Sequence, residues 1–405
     1  RVIIFHLACF AQQPTKEPTD SLPLGIFQMD SDSRRSKWIF IAGLLFAIVL
    51  LWNPFGHLIF SVRLALAMQN FASGATDAKL AVKESKIHYP AGEQGYDALL
   101  YLPARSFAAK AVILVPGISE RGCYHPRLIS LARHLADTGM AVLTPDIRAF
   151  RHFEITADSI EQIIFWHYKL ANLDGTQEVK KIGLAGISYS GTLALMAAAR
   201  PEMQDRVSFI VGIGSYYNLI DCLKFWFAGG NAMESKAYYP TRFYGRWVAM
   251  LAAVPMVAKE EDRIFLRDSL RSLLLQKDLP MLPAALTPEA EGWYRLATIL
   301  GNQPDPELNQ KIQEYLVSTI YRRLDPKEVV EKVRCPVFLI HGADDDLIPA
   351  KQSQELHRRI ANSYLLISPF LTHTHPHNRK LLWKEKAKSV LETLLFCFQF
   401  SRIIN

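Results

Sequence analysis

The chain has 405 residues, 50% of them hydrophobic and 21% charged, which supplies enough apolar surface for a large core and excludes a disordered polymer. The net charge is +7, yet the basic residues are spread along the chain and accompany no nucleic-acid-binding motif, which argues against a nucleic-acid partner. The five cysteines (Cys9, Cys123, Cys222, Cys335 and Cys397) are far apart, odd in number and form no C-x-x-C pair, so isolated buried thiols are expected in place of a zinc site or a disulfide framework.

Residues 1–37 carry no usable pattern and are expected to be a disordered tail, with Met29, just ahead of a basic cluster, a candidate start. Trp38 to Trp52 is an uninterrupted apolar run that continues weakly through Pro54, Phe55, Gly56 and His57 to Val62. A membrane-spanning helix needs roughly 20 mainly apolar residues, a length reached only with residues 53–62 included. Arg34, Arg35 and Lys37 precede the run and favour the cytoplasmic side. The expectation is an uncleaved single-pass anchor at residues 38–62, with the rest of the chain across the membrane. A cleaved signal peptide is the alternative, although Ala65-Leu66-Ala67 lies far beyond the apolar centre. A twin-arginine signal at Ser33-Arg34-Arg35 is another, although Lys37 stands where an apolar residue belongs. A soluble amphipathic helix fits poorly, because the run has no polar face.

From about Leu80 short apolar runs alternate with amphipathic stretches. Strands are predicted at 82–89, 96–102, 111–115, 141–144, 181–185, 207–213, 337–340 and 364–367. Helices are predicted at 126–138, 158–170, 192–200, 350–360 and 381–396. Continuous apolar strands alternating with helices imply a mostly parallel sheet covered on both faces. Residues 80–218 and 333–405 carry this pattern. Between them, Leu219 to Lys332 reads as helical and is rich in aromatics, among them Phe225, Trp226, Phe227, Tyr238, Tyr239, Phe243, Tyr244 and Trp247. An insertion of this length between two sheet strands is a second domain or a lid, and its aromatics are core or pocket lining.

After the strand at Lys181 stands Gly186-Ile187-Ser188-Tyr189-Ser190-Gly191, between an apolar strand and an alanine-rich helix. Such a turn lifts a serine clear of its neighbours and aims a helix N-terminus at a developing oxyanion. The segment resembles the G-x-S-x-G nucleophile elbow of the α/β-hydrolase family, with Ser190 in place of the last glycine and Gly191 following. Ser188 is the candidate nucleophile and Ser190 the alternative; an ordinary helix N-cap is the bland reading.

A serine hydroxyl needs a base and a group that orients the base, and the family places them in the order Ser, Asp/Glu, His. His341-Gly342-Ala343-Asp344-Asp345-Asp346-Leu347-Ile348-Pro349 resembles the family's H-G-x-x-D-x-x-V/I-P loop, and that register selects Asp345 as the acid. Asp344 and Asp346 fall one residue off. The resemblance puts the base after the last strand, in Ser368-Pro369-Phe370-Leu371-Thr372-His373-Thr374-His375-Pro376-His377, where the family spacing favours His373 over His375 and His377. It also implies two oxyanion donors, the backbone amides of Tyr189 and Ile118, the latter in the loop Val115 to Gly122.

The expectation is therefore an α/β hydrolase with a helical lid at 219–332. It cleaves a carboxylic ester with a hydrophobic, lipid-like acyl group through an acyl-Ser188 intermediate, without metal or cofactor. Peptidase, thioesterase and acyltransferase chemistry use the same triad. A non-catalytic, membrane-anchored binding module on the same fold is the alternative of another class.

Overall fold

In the computed structural model, residues 55–71, 80–90, 95–104, 107–228, 242–283, 285–298, 305–373 and 382–405 are described, and all lie in one compact unit beginning at Phe55. Residues 55–71 are helical (α1). Then follow β1 (Val82–Tyr89), β2 (Tyr96–Pro103), β3 (Lys110–Val115), α2 (Pro126–Asp137), β4 (Met140–Pro145), the short α3 (Arg148–Arg151), α4 (Asp158–Leu170), β5 (Lys181–Ile187), α5 (Tyr189–Ala198) and β6 (Val207–Ile213). Between β6 and β7 lie α6 (Leu219–Phe227), α7 (Arg242–Ala253), α8 (Glu260–Leu275), α9 (Pro288–Thr298) and α10 (Pro306–Thr319). The chain ends with β7 (Val337–Gly342), α11 (Lys351–Arg359), β8 (Ser363–Ser368) and α12 (Trp383–Ile404).

The eight strands form one sheet in the order β1-β2-β4-β3-β5-β6-β7-β8. Among the described strands, only the β1/β2 and β2/β4 pairs are antiparallel. Successive side chains on a strand face opposite sides, and β3 divides accordingly. Ala111, Ile113 and Val115 enter a core shared with α4 and α5, whereas Val112 and Leu114 enter a second core shared with α1, α2 and α12. The hub of the second core is Phe400 on α12, in ring contact with Phe60 of α1, Phe209 of β6 and Phe338 of β7. Each such pair contributes about 0.5–1.5 kcal/mol beyond the area it buries. Cys123, Cys222, Cys335 and Cys397 are buried free thiols. Burial pushes Cys123, Cys335 and Cys397 up to about 12, so at neutral pH they stay protonated and unreactive.

The order of strands creates the site. β4 follows β3 on one side, and the chain then returns to lay β5 on the other side of β3. The loops leaving β3 and β5 therefore part at their carboxyl ends, which is where open α/β sheets bind ligands.

Several boundaries move. β5 runs on to Ile187 because Gly186 and Ile187 still pair with Gly212 and Ile213 of β6. α5 starts at Tyr189, ahead of the expected Thr192, because the turn passes straight into the helix. α12 continues past Phe396 to Ile404, burying Cys397, Phe400, Ser401 and Ile404 at helical spacing. Of the expected anchor at 38–62 only residues 55–62 can be placed. Residues 38–54 lie outside the described residues, and among the described residues no helix is long and apolar enough to cross a membrane. Residues 55–62 open α1, whose inner face packs on the sheet side of α12: His57 Nδ1 lies 2.8 Å from Ser401 Oγ, Ser61 is fully buried, and Leu64, Ala67 and Phe71 join the core. A segment held in this way belongs to the folded unit and is not a stretch of membrane-spanning helix. Cleavage after Ala67 would likewise cut through a helix that contributes to the core.

Candidate active site

At the end of β5 the backbone of Ser188 takes φ +61° and ψ −129°, a strained conformation for an L-residue. Its N–H donates to the Ile213 carbonyl at 2.6 Å and its carbonyl accepts from Gly191 N–H at 3.0 Å, so hydrogen bonds on both sides hold the strain in place. The turn is tight enough that a Cβ at Gly186 would collide with the Ser190 carbonyl and the Gly191 nitrogen, which explains the glycine two residues before the serine.

Ser188 and Ser190 have different neighbours. Ser188 is half-buried, and its Oγ lies 2.7 Å from His373 Nε2. Ser190 is fully buried, and its Oγ accepts from Ile187 N–H at 2.9 Å while its proton faces the carbonyls of Ile187 (2.8 Å) and Val115 (3.1 Å). The serine that replaces the motif's last glycine thus ties the elbow to the end of β3.

His373 donates from Nδ1 to Asp345 Oδ2 at 2.7 Å, completing a line from hydroxyl through imidazole to carboxylate. Of the three adjacent aspartates Asp344 is exposed, Asp346 half-buried and Asp345 buried. Asp345 Oδ1 accepts from the amides of Leu347 (2.9 Å) and Ile348 (2.8 Å). Its Oδ2 also lies 3.1 Å from Nε2 of the fully buried His341. That nitrogen faces the Ile348 carbonyl at 2.7 Å as well, so its neighbours only accept and it must carry the proton; Nδ1 meets Ser353 Oγ at 2.6 Å. Burial alone would raise the Asp345 carboxyl. The charge and hydrogen bonds of His373 and His341 outweigh it and hold the group well below the usual carboxylate range. A Cβ at Gly342 would collide with the carbonyls of Leu371 and Thr372, so the glycine after His341 is what lets the loop carrying His373 come close. His375 and His377 lie outside the described residues.

Ser188 and His373 open on a cavity of about 370 Å³. Its wall is mainly apolar, with Leu219, Trp226, Val248, Leu347 and Ile348 prominent. Ile118 and Tyr189, the two expected oxyanion donors, line the same cavity. The loop after β3 is close to the serine: the Cβ position of Gly117 lies 3.4 Å from the Ile187 carbonyl and 4.0 Å from Ser188 Cβ. The aromatics of the β6–β7 segment divide between two roles. Trp226 and Tyr244 line the cavity, while Phe227, Phe243 and Trp247 are buried in the core; Tyr238 and Tyr239 lie outside the described residues. Trp226 Nε1 donates to the Leu347 carbonyl at 2.6 Å and Tyr244 Oη to the Ile118 carbonyl at 2.7 Å, so both also brace loops of the site. Neither contact, nor the place of His341 on the carboxylate, has a sequence signal of its own beyond the aromatic run and the H-G pair.

Residues 110–370, more than half of the chain, match the family model described as alpha/beta hydrolase fold. The chain belongs to the α/β-hydrolase fold family. The matched span takes in Ser188 and Asp345 and stops just short of His373. Among curated proteins, this α/β hydrolase is similar to the pimeloyl-[acyl-carrier protein] methyl ester esterase of Neisseria meningitidis serogroup B, with 31% identity over 93 residues. That stretch is 22% of this chain and 34% of the relative, so the alignment spans about a third of the esterase. It is also similar to the serine hydrolase BPHL of Homo sapiens, with 23% identity over 334 residues, 80% of this chain and 88% of that one. Among solved structures, Est1E from Butyrivibrio proteoclasticus is 16% identical, covers 79% of this chain and 98% of its own, and has a TM-score of 0.43. The 2,6-dihydroxy-pseudo-oxynicotine hydrolase is 14% identical over 79% of this chain and 67% of its own, with a TM-score of 0.46. The general class of this α/β hydrolase is accordingly that of a hydrolytic enzyme.

Proposed function

We propose that the protein is a serine hydrolase that cleaves a carboxylic ester with a hydrophobic acyl group. The observation that carries this reading is the Ser188–His373–Asp345 line, with both hydrogen bonds at 2.7 Å, at the edge of the apolar cavity. His373 Nε2 takes the Ser188 proton as Oγ bonds to the ester carbonyl carbon. Asp345, held ionised, fixes the tautomer that leaves Nε2 free to accept and stabilises the imidazolium that forms. The tetrahedral oxyanion receives the amides of Ile118 and Tyr189, the second at the positive end of α5. Collapse of the intermediate breaks the bond to the alkoxy oxygen, which leaves with the proton from His373. Water then attacks the acyl-Ser188, giving its proton to His373, and the acid leaves as the proton returns to Ser188 Oγ. No cofactor enters these steps.

The apolar wall supports a hydrophobic acyl group, and the esterase among the relatives supports an ester over an amide. The helices α6–α10 act as a lid in this reading. The run Trp38 to Trp52 behind Arg34, Arg35 and Lys37 supports attachment to a membrane, with the catalytic unit on the side away from those cations. Fluorophosphonate labelling with mass-spectrometric mapping tests the mechanism. The label is expected on Ser188 and lost in Ser188→Ala; labelling retained in that variant overturns the assignment.

A further inference from the structure

We propose that the outward face of α1 docks on a bilayer containing anionic lipid. α1 is apolar on two sides. Its inner face carries Leu64, Ala67 and Phe71 into the core. Its outer face bears Phe55, Leu58, Ile59, Val62 and Leu66, all exposed, from Val62 at 41% to Phe55 at 58%. The spacing is i, i+3, i+4, i+7 and i+11, one continuous stripe along the helix. Single exposed apolar residues are ordinary on a soluble protein, but a contiguous stripe of large ones marks an interaction surface. Residues 55–71 contain no Asp or Glu, and Arg63 is the one charged residue among the exposed positions of α1.

Two further observations select lipid as the occupant. Only Asn53 and Pro54 separate the apolar run Trp38 to Trp52 from α1, so in a chain attached to a bilayer through that run α1 is two residues of chain away from the attached segment. α12, on whose last turns α1 packs through His57–Ser401 and Phe60–Phe400, opens at its other end with Trp383, 74% exposed. Around this tryptophan Lys384, Lys386 and Lys388 are exposed, with Glu385 among them and Glu392 paired with Lys388. An apolar helix face, an exposed tryptophan and a cluster of lysines are what an anionic interface recruits. The inner face of the same helix reaches the site: Phe71, the last described residue of α1, lines the cavity that holds Ser188. If the proposed esterase reading holds, docking would bring the cavity close to a lipid-like ester; the docking itself does not depend on that reading.

The test uses the full chain carrying Cys9→Ser, so that the remaining native cysteines are the four buried thiols. Val62→Cys is labelled with an NBD fluorophore. Glu161→Cys on α4, which packs on the opposite face of the sheet, is the control. Each is bound to vesicles of phosphatidylcholine and phosphatidylglycerol, with and without doxyl-labelled lipid. The label at position 62 is expected to shift to the blue and to lose roughly half its emission or more to the doxyl group, while the label at 161 stays in water and unquenched. Equal quenching at the two positions overturns the proposal, as does a chain that does not float with the vesicles. A label at 62 that leaves water but is not quenched, together with a doubled mass in light scattering, assigns the stripe to a second copy and overturns it as well. Fluorophosphonate labelling of the same samples reports the catalytic reading separately, so failure of one is distinguishable from failure of the other.

Discussion

The Tyr244 hydroxyl, on the second helix of the segment between β6 and β7, donates to the carbonyl of Ile118 at 2.7 Å. The inserted helices therefore do more than line the cavity: one of them grips the residue whose amide faces the oxyanion in the proposed mechanism. Tyr244→Phe keeps the ring against the cavity and removes only this bond. A single hydrogen bond contributes about 1 kcal/mol net, so kcat on a short aryl ester is expected to fall about fivefold with little change in KM. An unchanged kcat in steady-state assays would mean that the loop holds its shape without α7.

Ser190 supplies a test that separates structure from chemistry. Its Oγ is the acceptor for Ile187 N–H inside a buried turn. Ser190→Ala leaves that donor without a partner, which costs about 1–3 kcal/mol of folding stability. Urea denaturation is expected to show the loss, while fluorophosphonate still labels Ser188. Labelling abolished with stability unchanged would make Ser190 the nucleophile.

Asp345 gives a prediction in rate and another in pH. Asp345→Asn presents an amide to His373 and favours the wrong tautomer, so kcat is expected to fall by roughly three to four orders of magnitude. The carboxyl is held below its usual range in the folded protein, because His373 and His341 outweigh its burial. Unfolded, it binds a proton near its ordinary value, so folding is favoured above that value and the advantage fades as pH drops below it. The stability of the native chain relative to Asp345→Asn should accordingly be constant near neutrality and shrink below about pH 4. Denaturation midpoints of both chains at several pH values measure this; a gap that widens on acidification contradicts it.

What could be read in advance divides along physical lines. Strands buried on both faces announce themselves as continuous apolar runs, and β3, β5, β6 and β7 lie where those runs do. The elbow is legible because its geometry demands small residues at fixed offsets, and the loop after β7 because its pattern spans nine adjacent positions. α1 was hidden for a definite reason: with apolar residues on both faces it resembles a continuation of the run before it, and only packing against α12 separates the two. The bond from Tyr244 to Ile118 and the contact of His341 with Asp345 depend on the arrangement of separate loops and helices, which no local pattern records. Tyr244 stood in the sequence as one aromatic among thirteen between Leu219 and Lys332.

The strain at Ser188 can be measured apart from catalysis. Its φ of +61° with ψ of −129° is a conformation that glycine adopts freely and alanine does not. Ser188→Gly and Ser188→Ala both remove the hydroxyl and its bond to His373, so both should be inactive towards fluorophosphonate. They differ in whether a Cβ remains at the strained position. Glycine also loses more chain entropy on folding, which offsets about 0.5–1 kcal/mol, whereas relief of the strained backbone contributes about 1–3 kcal/mol. The glycine variant is thus expected to unfold at a higher urea concentration than the alanine variant, by about 1 kcal/mol in stability with equal m-values. Equal midpoints would mean that the turn carries no net strain, and a lower midpoint for glycine would mean that the hydrogen bonds from Ile213 and Gly191 hold a conformation the serine accepts at no cost.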